Sequence, residues 1–588
     1  METTSQPKLN KYMLYIIPVS ILIIAIFIYK SNVFTPSFNY YYDLKDEVFV
    51  SIDFGNSKSS FAYNFVKNDK VVKSKITSVP SIVILNKENY VGKNYGKRSL
   101  NSISNYNEEE MNKIIFVDNL KVLLYNISSQ KISQNKTFFL LEYRAIVEFL
   151  RLFSDDIMRE INSFGKNYIK EEINWSITAP RIWDDFAKMN LINFAKEAGM
   201  INIELALESE VAAISVLNDK IITENNKRAG KKFLLIDLGS SKIDISLNEI
   251  IDNNIKQLAM PFGGNFGSMN INKDLINVIK NVLGNQTIEK AKKNQLDEYL
   301  QTMKDLEDIK KKFKEHSTNY FEIYTKFEIE KSFYIKFREI WNSIKSLFLR
   351  KNYLIDFTYK NYTIYLDKFK VAIPGKLIEE IILERVHEII NFIKLKSDNI
   401  KYYDYIVLTG GFSNSDILVK EFRKSFTNVH VLSNQENSVL EGSLIYLKNK
   451  EKIYSRVAYN TYGIGTILKN NKTNEYSEQI KVLIKKGDTI KHNFKLKKNL
   501  DNNSIKSDFI CINFYKSSKE NLSKDDYLGT LTINTSECKS NEQNLIKLKL
   551  KIRFNTYFQI DVFDINAKKK LKFSFLRKGH NYSLSAKK

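Results

Sequence analysis

The sequence predicts a mixed α/β protein with two lobes around a cleft, followed by an antiparallel β-sandwich. Two hairpins of the same pattern, far apart in the chain, predict the two lobes. An apolar strand that runs into a Gly-Gly pair and then a helix belongs to the same α/β pattern. From Arg456 onward, short alternating strands separated by polar turns predict the sandwich.

The chain is organised around its second hairpin, Lys232–Ile250. An apolar run enters the turn Asp237–Ser241, after which apolar and polar residues alternate with a period of two. The first hairpin, Val48–Phe65, has Asp53–Ser57 in the same place. Each hairpin therefore places a carboxylate at the end of a buried strand and a glycine two residues later, where backbone amides can approach a ligand. Such a turn can bind an anion, and its carboxylate can hold a hydrated divalent cation against a phosphate.

The third phrase is the strand Tyr405–Thr409, which ends at Gly410-Gly411 before a helix. One Asp-x-Gly turn is a weak indication, because turns favour both residues. Two such turns and the strand-Gly-Gly-helix phrase together resemble the actin, sugar-kinase and heat-shock ATPase superfamily. That resemblance implies a two-lobed, ribonuclease H-like fold, in which the hairpins clamp the phosphates of a nucleotide and the Gly-Gly turn holds adenosine.

Composition limits the class of protein. The 588 residues, 43% of them hydrophobic, are enough for several domains with cores. The net charge of +23 could indicate nucleic acid or an anionic membrane surface. Lysine is spread along the whole chain, however, and no arginine-rich tract stands out, so we expect no nucleic-acid partner. Two cysteines, Cys511 and Cys538, exclude a disulfide framework or a Cys-based zinc cluster; they could pair in an oxidising lumen or stay free.

Near the N-terminus, Tyr12–Tyr29 is an uncharged apolar stretch with lysines on both sides. Its length is just enough to span a bilayer. A cleavable signal peptide is the competing interpretation, but the stretch exceeds the usual apolar region and no A-x-A-like site follows it. We therefore expect an uncleaved signal anchor in the endoplasmic reticulum or another secretory membrane, with the C-terminal part in the lumen.

Five further phrases resemble one family within the superfamily, the DnaK-type heat-shock-seventy chaperones, and within it the type-twelve (A/B) branch. These phrases are ITAPRIW at 177–183, LESEVAA at 207–213, GGNFGS at 263–268, GGF at 410–412 and SRVAYNTYGI at 455–464. The resemblance covers about residues 47–565. It implies an actin-like nucleotide-binding domain (47–449) and a substrate-binding-like sandwich (455–566). Outside it, the sequence itself predicts an N-terminal tail (1–11), the membrane anchor (12–29), a spacer (30–46) and a basic tail (567–588).

The resemblance also implies roles for individual residues. Asp53 and Asp237 would hold hydrated Mg²⁺, Glu208 would accept a proton near its water shell, and Lys121 would position the attacking water. Phosphoryl transfer depends mainly on such charge neutralisation and positioning. The implied catalytic residues are Lys121, Glu208 and Asp237, and the implied ATP- or ADP-binding residues are Asp53, Gly55, Asn56, Ser57, Gly239, Ser240, Ser241, Gly263, Gly264, Glu307, Lys310, Lys311, Gly410 and Gly411.

The sequence departs from the family at several of these places. The second turn is Gly239-Ser240-Ser241-Lys242 where the family has Gly-Gly-Gly-Thr, and each added Cβ restricts positive φ and can crowd a phosphate. Asn56 replaces a threonine of the first turn, and Asn414 stands where an arginine commonly stacks on adenine. The stretch Lys450–Arg456 is charged where the family linker is rich in leucine.

The leading functional hypothesis is a membrane-anchored heat-shock-type chaperone that binds and slowly hydrolyses Mg-ATP. Polypeptide clients or a cochaperone would be its partners, and its sandwich would lack the helical lid, because only a short basic tail follows. The alternative is a pseudo-chaperone or scaffold that binds nucleotide without turnover and acts through protein contacts. A metabolite kinase of the same superfamily is disfavoured by the sandwich and by the lack of an obvious acceptor-site base.

Overall fold

The computed structural model describes residues 47–577 except 68–69, 104, 130–135, 220–229, 326–354, 368–369, 398–401, 470–475, 493, 503–508, 535–545, 555, 557 and 572–573. The predicted anchor Tyr12–Tyr29 and Cys538 lie outside these residues. In the part of the chain that is described, no helix is both long and apolar enough to cross a membrane. Cys511 is exposed and unpaired.

The first lobe is built on a five-stranded sheet. Its elements are β1 Glu47–Asp53, β2 Lys58–Lys67, β3 Lys70–Pro80, β4 Val83–Asn86, β5 Gly92–Tyr95, α1 Gly96–Ile103, α2 Glu108–Asn112, β6 Ile114–Val117, α3 Leu120–Ser129, α4 Lys136–Asn162, β7 Asn174–Ala179, α5 Asp185–Glu197, β8 Ile203–Leu207 and α6 Glu208–Val216. The strand order is β3-β2-β1-β7-β8, antiparallel from β3 to β1 and parallel from β1 to β8. A smaller sheet has the order β5-β4-β6.

Helices α4 and α5 cover this sheet. The apolar stripe of α4 is buried, and Phe149, Phe153 and Ile157 share one cluster with Ile52 of β1 and Trp175 of β7. Helix α5 begins at Asp184, whose carboxylate accepts a hydrogen bond from the amide of Ala187 at 2.8 Å. The middle of β1 is buried continuously, as expected for a strand covered on both faces.

The second lobe repeats the plan of the first. Its elements are β9 Lys232–Leu238, β10 Ile243–Ile251, β11 Asn254–Gln257, β12 Phe262–Gly264, α7 Met269–Leu283, α8 Asn285–Asn294, α9 Leu296–Lys312, β13 Tyr320–Tyr324, β14 Ile355–Tyr359, β15 Tyr362–Asp367, β16 Lys370–Pro374, α10 Gly375–Ser397, β17 Tyr405–Thr409, α11 Asp416–Ser425, β18 Val429–Val431, α12 Ser438–Lys448 and β19 Ile453–Val457. The strands β11-β10-β9-β17-β18 have the order and directions of β3-β2-β1-β7-β8. Strands β12 and β19 join this sheet beside β10 and β11, and a separate antiparallel sheet has the order β13-β16-β15-β14. Both predicted hairpins are therefore present at equivalent positions.

Helices α6 and α12 lie between the two sheets. Gly442 of α12 packs so closely on α6 that a Cβ there would lie 1.7 Å from the carbonyl oxygen of Val211. Helix α12 buries Leu440 and Leu444 against Phe49 of the first sheet. Any larger residue at position 442 would therefore push apart the two helices that join the lobes.

The C-terminal part consists of two antiparallel sheets. Its strands are β20 Thr461–Lys469, β21 Tyr476–Ile484, β22 Thr489–Lys491, β23 Lys495–Asn502, β24 Phe509–Ser517, β25 Tyr527–Asn534, β26 Ile546–Phe554, β27 Phe558–Asp564, β28 Lys569–Leu571 and β29 Ser574–Arg577. The sheets have the orders β21-β20-β24-β25-β29 and β23-β26-β27-β28. Buried residues of both, such as Phe514 and Ile552, belong to one hydrophobic cluster.

Strand β19 connects the second lobe to this C-terminal part. It pairs in parallel with β11 and antiparallel with β22, so the sheet of the second lobe continues past the predicted domain boundary. The charged residues that made this stretch unlike a strand form a separate 3₁₀ turn, Lys450–Lys452. Ile453 then enters the cluster that contains Phe233.

A buried ion cluster holds this junction. The guanidinium of Arg456 is 2.8 Å from Glu210 Oε1, and the guanidinium of Arg181 is 2.9 Å from the same oxygen. Arg181 also donates to the carbonyl oxygen of Val457 at 2.9 Å. Burial disfavours ionisation of Glu210, but Arg456 and Arg181 together hold its pKa below the usual value. One carboxylate of α6 therefore pairs with two buried cations, one of them on β19.

We expect Glu210→Ala to destabilise the protein by about 3–5 kcal/mol, because two guanidinium groups would remain buried without a counter-charge. Urea unfolding followed by circular dichroism measures the change. The control is Glu109→Ala, which removes an exposed partner of Lys113 and should cost at most about 1 kcal/mol. Equal unfolding midpoints for the two variants would contradict the assigned role of Glu210.

Candidate functional site

The two hairpins bring their acidic turns to one site between the lobes. Asp53 ends β1, and Asp237 is the penultimate residue of β9. The carboxylates of Asp53, Glu208 and Asp244 all act on the charge of Asp237, so residues of both lobes share one electrostatic environment. The carboxyl ends of the parallel strands of each lobe meet here, as is usual for ligand sites of α/β sheets.

Local structure fixes each carboxylate. The hydroxyl of Thr178, on the neighbouring strand β7, donates to Asp53 Oδ1 at 2.9 Å. Asp244 lies opposite Asp237 in the register of the second hairpin, and Thr409 lies beside Asp237 on the other side. Glu208 is the first residue of α6, directly after β8. Regular strand pairing thus determines where these groups stand.

Lys121 is held in the site by Glu208. It is the second residue of α3, and its Nζ lies 2.6 Å from Glu208 Oε1. The two side chains are only 15% and 11% exposed. Burial lowers the pKa of Lys121, but the carboxylates of Glu208, Asp53 and Asp244 together raise it by more. The pKa of Lys121 is therefore above its ordinary value, and the side chain stays protonated.

The site carries more negative than positive charge. The four carboxylates Asp53, Glu208, Asp237 and Asp244 face the ammonium groups of Lys121 and Lys242. Burial, with Asp53 and Asp244 nearby, raises the pKa of Glu208 to about 7 even though Lys121 opposes the shift. Burial and the neighbouring carboxylates raise the pKa of Asp237 well above its ordinary value. Such a site favours an added cation.

The donor set suits Mg²⁺ held through water. Carboxylate oxygens are the ligands that Mg²⁺ prefers, and this ion keeps several of its waters. Among the described residues, three potential ligands converge within 4.8 Å only at Glu315, His316 and Glu379, on the exposed surface near the start of α10. No three carboxylates of the cleft meet this limit among the described residues, so the site offers no set of three direct protein ligands.

Both turns need glycine for close backbone contact. A Cβ at Gly55 would lie 1.9 Å from the carbonyl oxygen of Lys58, and one at Gly239 would lie 2.9 Å from that of Lys242. In the second turn, the carbonyl of Ser240 accepts a hydrogen bond from the amide of Met269 at 2.7 Å. The second turn is thereby fixed to the start of α7.

The predicted segment 263–268 supports the second hairpin. Gly263 pairs with Asp244 and Gly264 with Ile243. A Cβ at Gly267 would lie 2.2 Å from the carbonyl oxygen of Ser240. The hydroxyl of the following residue, Ser268, lies 3.2 Å from Lys310 Nζ. These glycines line the back of the turn, where they allow close packing.

The residues expected near the nucleoside approach the second hairpin from two sides. Gly410 has φ +86°, and a Cβ there would lie 2.4 Å from Asp237 Oδ1, whereas Gly411 borders open space. On the other side, Glu307 is 2.5 Å from Lys310 Nζ and accepts a hydrogen bond from Asn272 at 2.9 Å. Lys311 is 63% exposed and lies 3.7 Å from Glu307. The structure thus joins Glu307 and Lys310 to the hairpin support and leaves Lys311 at the surface.

Asn56 and Asn414, which stand where the family has threonine and arginine, both form side-chain hydrogen bonds within the protein. The amide of Asn56 donates to Asn119 Oδ1 at 2.8 Å, just before α3. The amide of Asn414 donates at 2.5 Å to Glu436, which also pairs with Lys58 of the first lobe at 3.2 Å. In the same first turn, the hydroxyl of Ser57 lies 3.4 Å from the sulfur of Met269 in the second lobe.

The sequence interpretation missed Asp244 as a site residue. Its signal is the hairpin itself, because equal strand lengths on either side of the turn place Asp244 opposite Asp237. Lys242 was noted only as the loss of a threonine, although its charge lies within the site.

No family model matches the chain, whereas comparison with individual proteins finds relatives and structural neighbours. Heat shock 70 kDa protein 12A of Mus musculus is 21% identical over 71% of this chain and 72% of its own length, and the Homo sapiens protein is 20% identical over the same shares. Among solved structures, MreB5 of Spiroplasma citri bound to ADP shares 16% identity, covers 69% of this chain and 98% of its own, and superposes with a TM-score of 0.43. The same protein bound to AMPPNP gives 0.41.

The curated relatives match the family that the sequence phrases predicted. The chain is a distant homologue of heat shock 70 kDa protein 12A over 71% of its length.

Proposed function

We propose that the chain binds Mg-ATP in the cleft between its two lobes and hydrolyses it slowly. One observation carries the proposal: Asp53, Lys121 and Glu208 of one lobe and Asp237 and Asp244 of the other share a buried site that carries more negative than positive charge. The turns beside these carboxylates are tight enough to require Gly55 and Gly239, and backbone amides in such turns can bind a phosphate. The distant homology to a heat-shock-seventy protein supports the same function.

The chain's own residues account for slow hydrolysis. Asp53 and Asp237 would hold the water shell of Mg²⁺, which neutralises phosphate charge when it is bound. Lys121, protonated and fixed by Glu208, is positioned to orient a water at the terminal phosphate. Glu208, with a pKa near neutrality, can accept the proton of that water.

A nucleotide-binding scaffold without turnover is the second candidate. Ser240 and Ser241 favour it, because they add side chains to a turn that must lie against a phosphate. In this case the cleft would bind nucleotide to set the conformation of the chain, and partners would recognise that conformation.

We further propose that the C-terminal two-sheet part is a sandwich that binds unfolded polypeptide and responds to the nucleotide. The connection through β19 and the cluster of Glu210 with Arg181 and Arg456 supports this coupling. Fluorescence anisotropy of a labelled unfolded peptide, with and without ATP, tests it: unchanged peptide affinity on addition of ATP would contradict the coupling.

Membrane attachment through Tyr12–Tyr29, with the C-terminal part lumenal, completes the proposal. Carbonate extraction of the full chain, followed by glycosidase digestion, tests both the anchor and its orientation. Release of the chain by carbonate would contradict the anchor.

We expect Asp237→Asn to abolish stabilisation by Mg-ATP and yet to raise the Tm of the nucleotide-free protein. With Mg-ATP at 100 times its Kd, the free energy of unfolding of the wild type should rise by about 2.7 kcal/mol. That of the variant should not change. Without nucleotide, the variant removes a repelled buried charge and should melt at a higher temperature than the wild type at pH 7.5.

The pH dependence follows from the raised pKa of Asp237. The folded protein binds this proton more tightly than the unfolded chain, so ionisation costs stability as the pH rises above the ordinary pKa of about 4. The Tm difference should therefore shrink as the pH falls toward 4. Glu88→Gln, at an exposed turn position, is the control. A variant that still gains stability from Mg-ATP would contradict the site.

Glu208→Gln should lower the rate of ATP hydrolysis by about a hundredfold or more and leave Mg-ATP affinity within about threefold, because a positioned general base contributes mainly to the transition state. A sensitive phosphate-release assay under single-turnover conditions measures the rate. Wild-type protein that binds ATP without any release would favour the scaffold over the enzyme.

A further inference from the structure

We propose that Lys242 is a second cation for the terminal phosphate, through which the cleft prefers a nucleoside triphosphate to a diphosphate and depends less on a divalent ion. The inference rests on the proposed nucleotide binding and deepens it. Lys242 occupies the last position of the second turn, and its carbonyl closes that turn by accepting a hydrogen bond from the amide of Gly239 at 3.1 Å.

The side chain of Lys242 reaches from the second lobe to the first. Its Nζ lies 5.2 Å from the ring centroid of Tyr125, a cation–π contact. Tyr125 stands on α3 one turn after Lys121, and its ring stacks on that of Trp183 at 6.0 Å. The ammonium groups of Lys121 and Lys242 are therefore held near the same end of α3, one from each lobe.

The two lysines differ in how their charge is used. Lys121 is bound directly to Glu208 at 2.6 Å. Lys242 contacts an aromatic ring, and within the described residues no carboxylate oxygen lies within ion-pair distance of its Nζ. The ammonium group of Lys242 interacts electrostatically with Asp244, Lys121 and Glu208, without a hydrogen bond to any of them. Its charge is therefore available to an anion that enters the cleft.

The chemistry of the ligand follows from this placement. A terminal phosphoryl group adds negative charge at the end of the chain of phosphates, and an ammonium group binds such oxygens by charge-assisted hydrogen bonds. A diphosphate that is held at the glycine turns would leave Lys242 without this partner. Lys242 should therefore contribute to triphosphate affinity far more than to diphosphate affinity.

The test compares ATP and ADP affinity of the full chain by isothermal titration calorimetry, once with Mg²⁺ and once with EDTA. Lys242→Met should lose about tenfold or more in ATP affinity and at most about threefold in ADP affinity, because a charged hydrogen bond to the terminal phosphate disappears. In EDTA the loss of ATP affinity should be larger. Lys242→Arg should retain the preference for ATP.

The matched control is Lys232→Met. Lys232 lies at the far end of the same hairpin, and its Nζ is 5.6 Å from the ring of Tyr402, so it makes the same kind of contact away from the cleft. It should bind ATP and ADP as the wild type does. Equal changes for ATP and ADP in Lys242→Met, or no change, would overturn the inference while ATP binding by the wild type still supports the proposed function. No binding of either nucleotide by the wild type with Mg²⁺ would overturn both.

Discussion

The structure depends on electrostatic repulsion between buried carboxylates of its two lobes. Two hairpins of identical topology bring Asp53 and Asp237 toward each other, and Asp244 and Glu208 add to the same buried environment. Like charges in a low-dielectric cleft repel, so this arrangement costs stability unless a cation joins it. The proposed function accounts for this cost, because the carboxylates that repel one another in the protein alone are the groups that would bind a metal and a polyphosphate.

The apolar cores of the two lobes are separate from these carboxylates. Each lobe has its own apolar cluster beneath its sheet, and α6 with α12 joins the lobes through a contact close enough to require Gly442. Glu208 is the first residue of helix α6 and Glu210 is the third. The same helix therefore borders both the cleft and the junction with β19. A shift of α6 on ligand binding would therefore reach the C-terminal sheets.

Local patterns predicted much of this architecture. Period-two alternation identified both hairpins, and the structure contains both. Patterns could not show what depends on register or long-range packing: the position of Asp244 opposite Asp237, and the reach of Lys242 to Tyr125. The strand β19 was hidden because its three preceding residues are charged, and only pairing with β11 reveals it.

The most direct test of the central claim is a crystal structure of the full chain with a non-hydrolysable ATP analogue and Mn²⁺, located by its anomalous scattering. We expect one Mn²⁺ between Asp53 and Asp237, with the triphosphate touching the amides of both turns. An analogue bound to one hairpin alone, or Mn²⁺ only at Glu315, His316 and Glu379, would contradict the account.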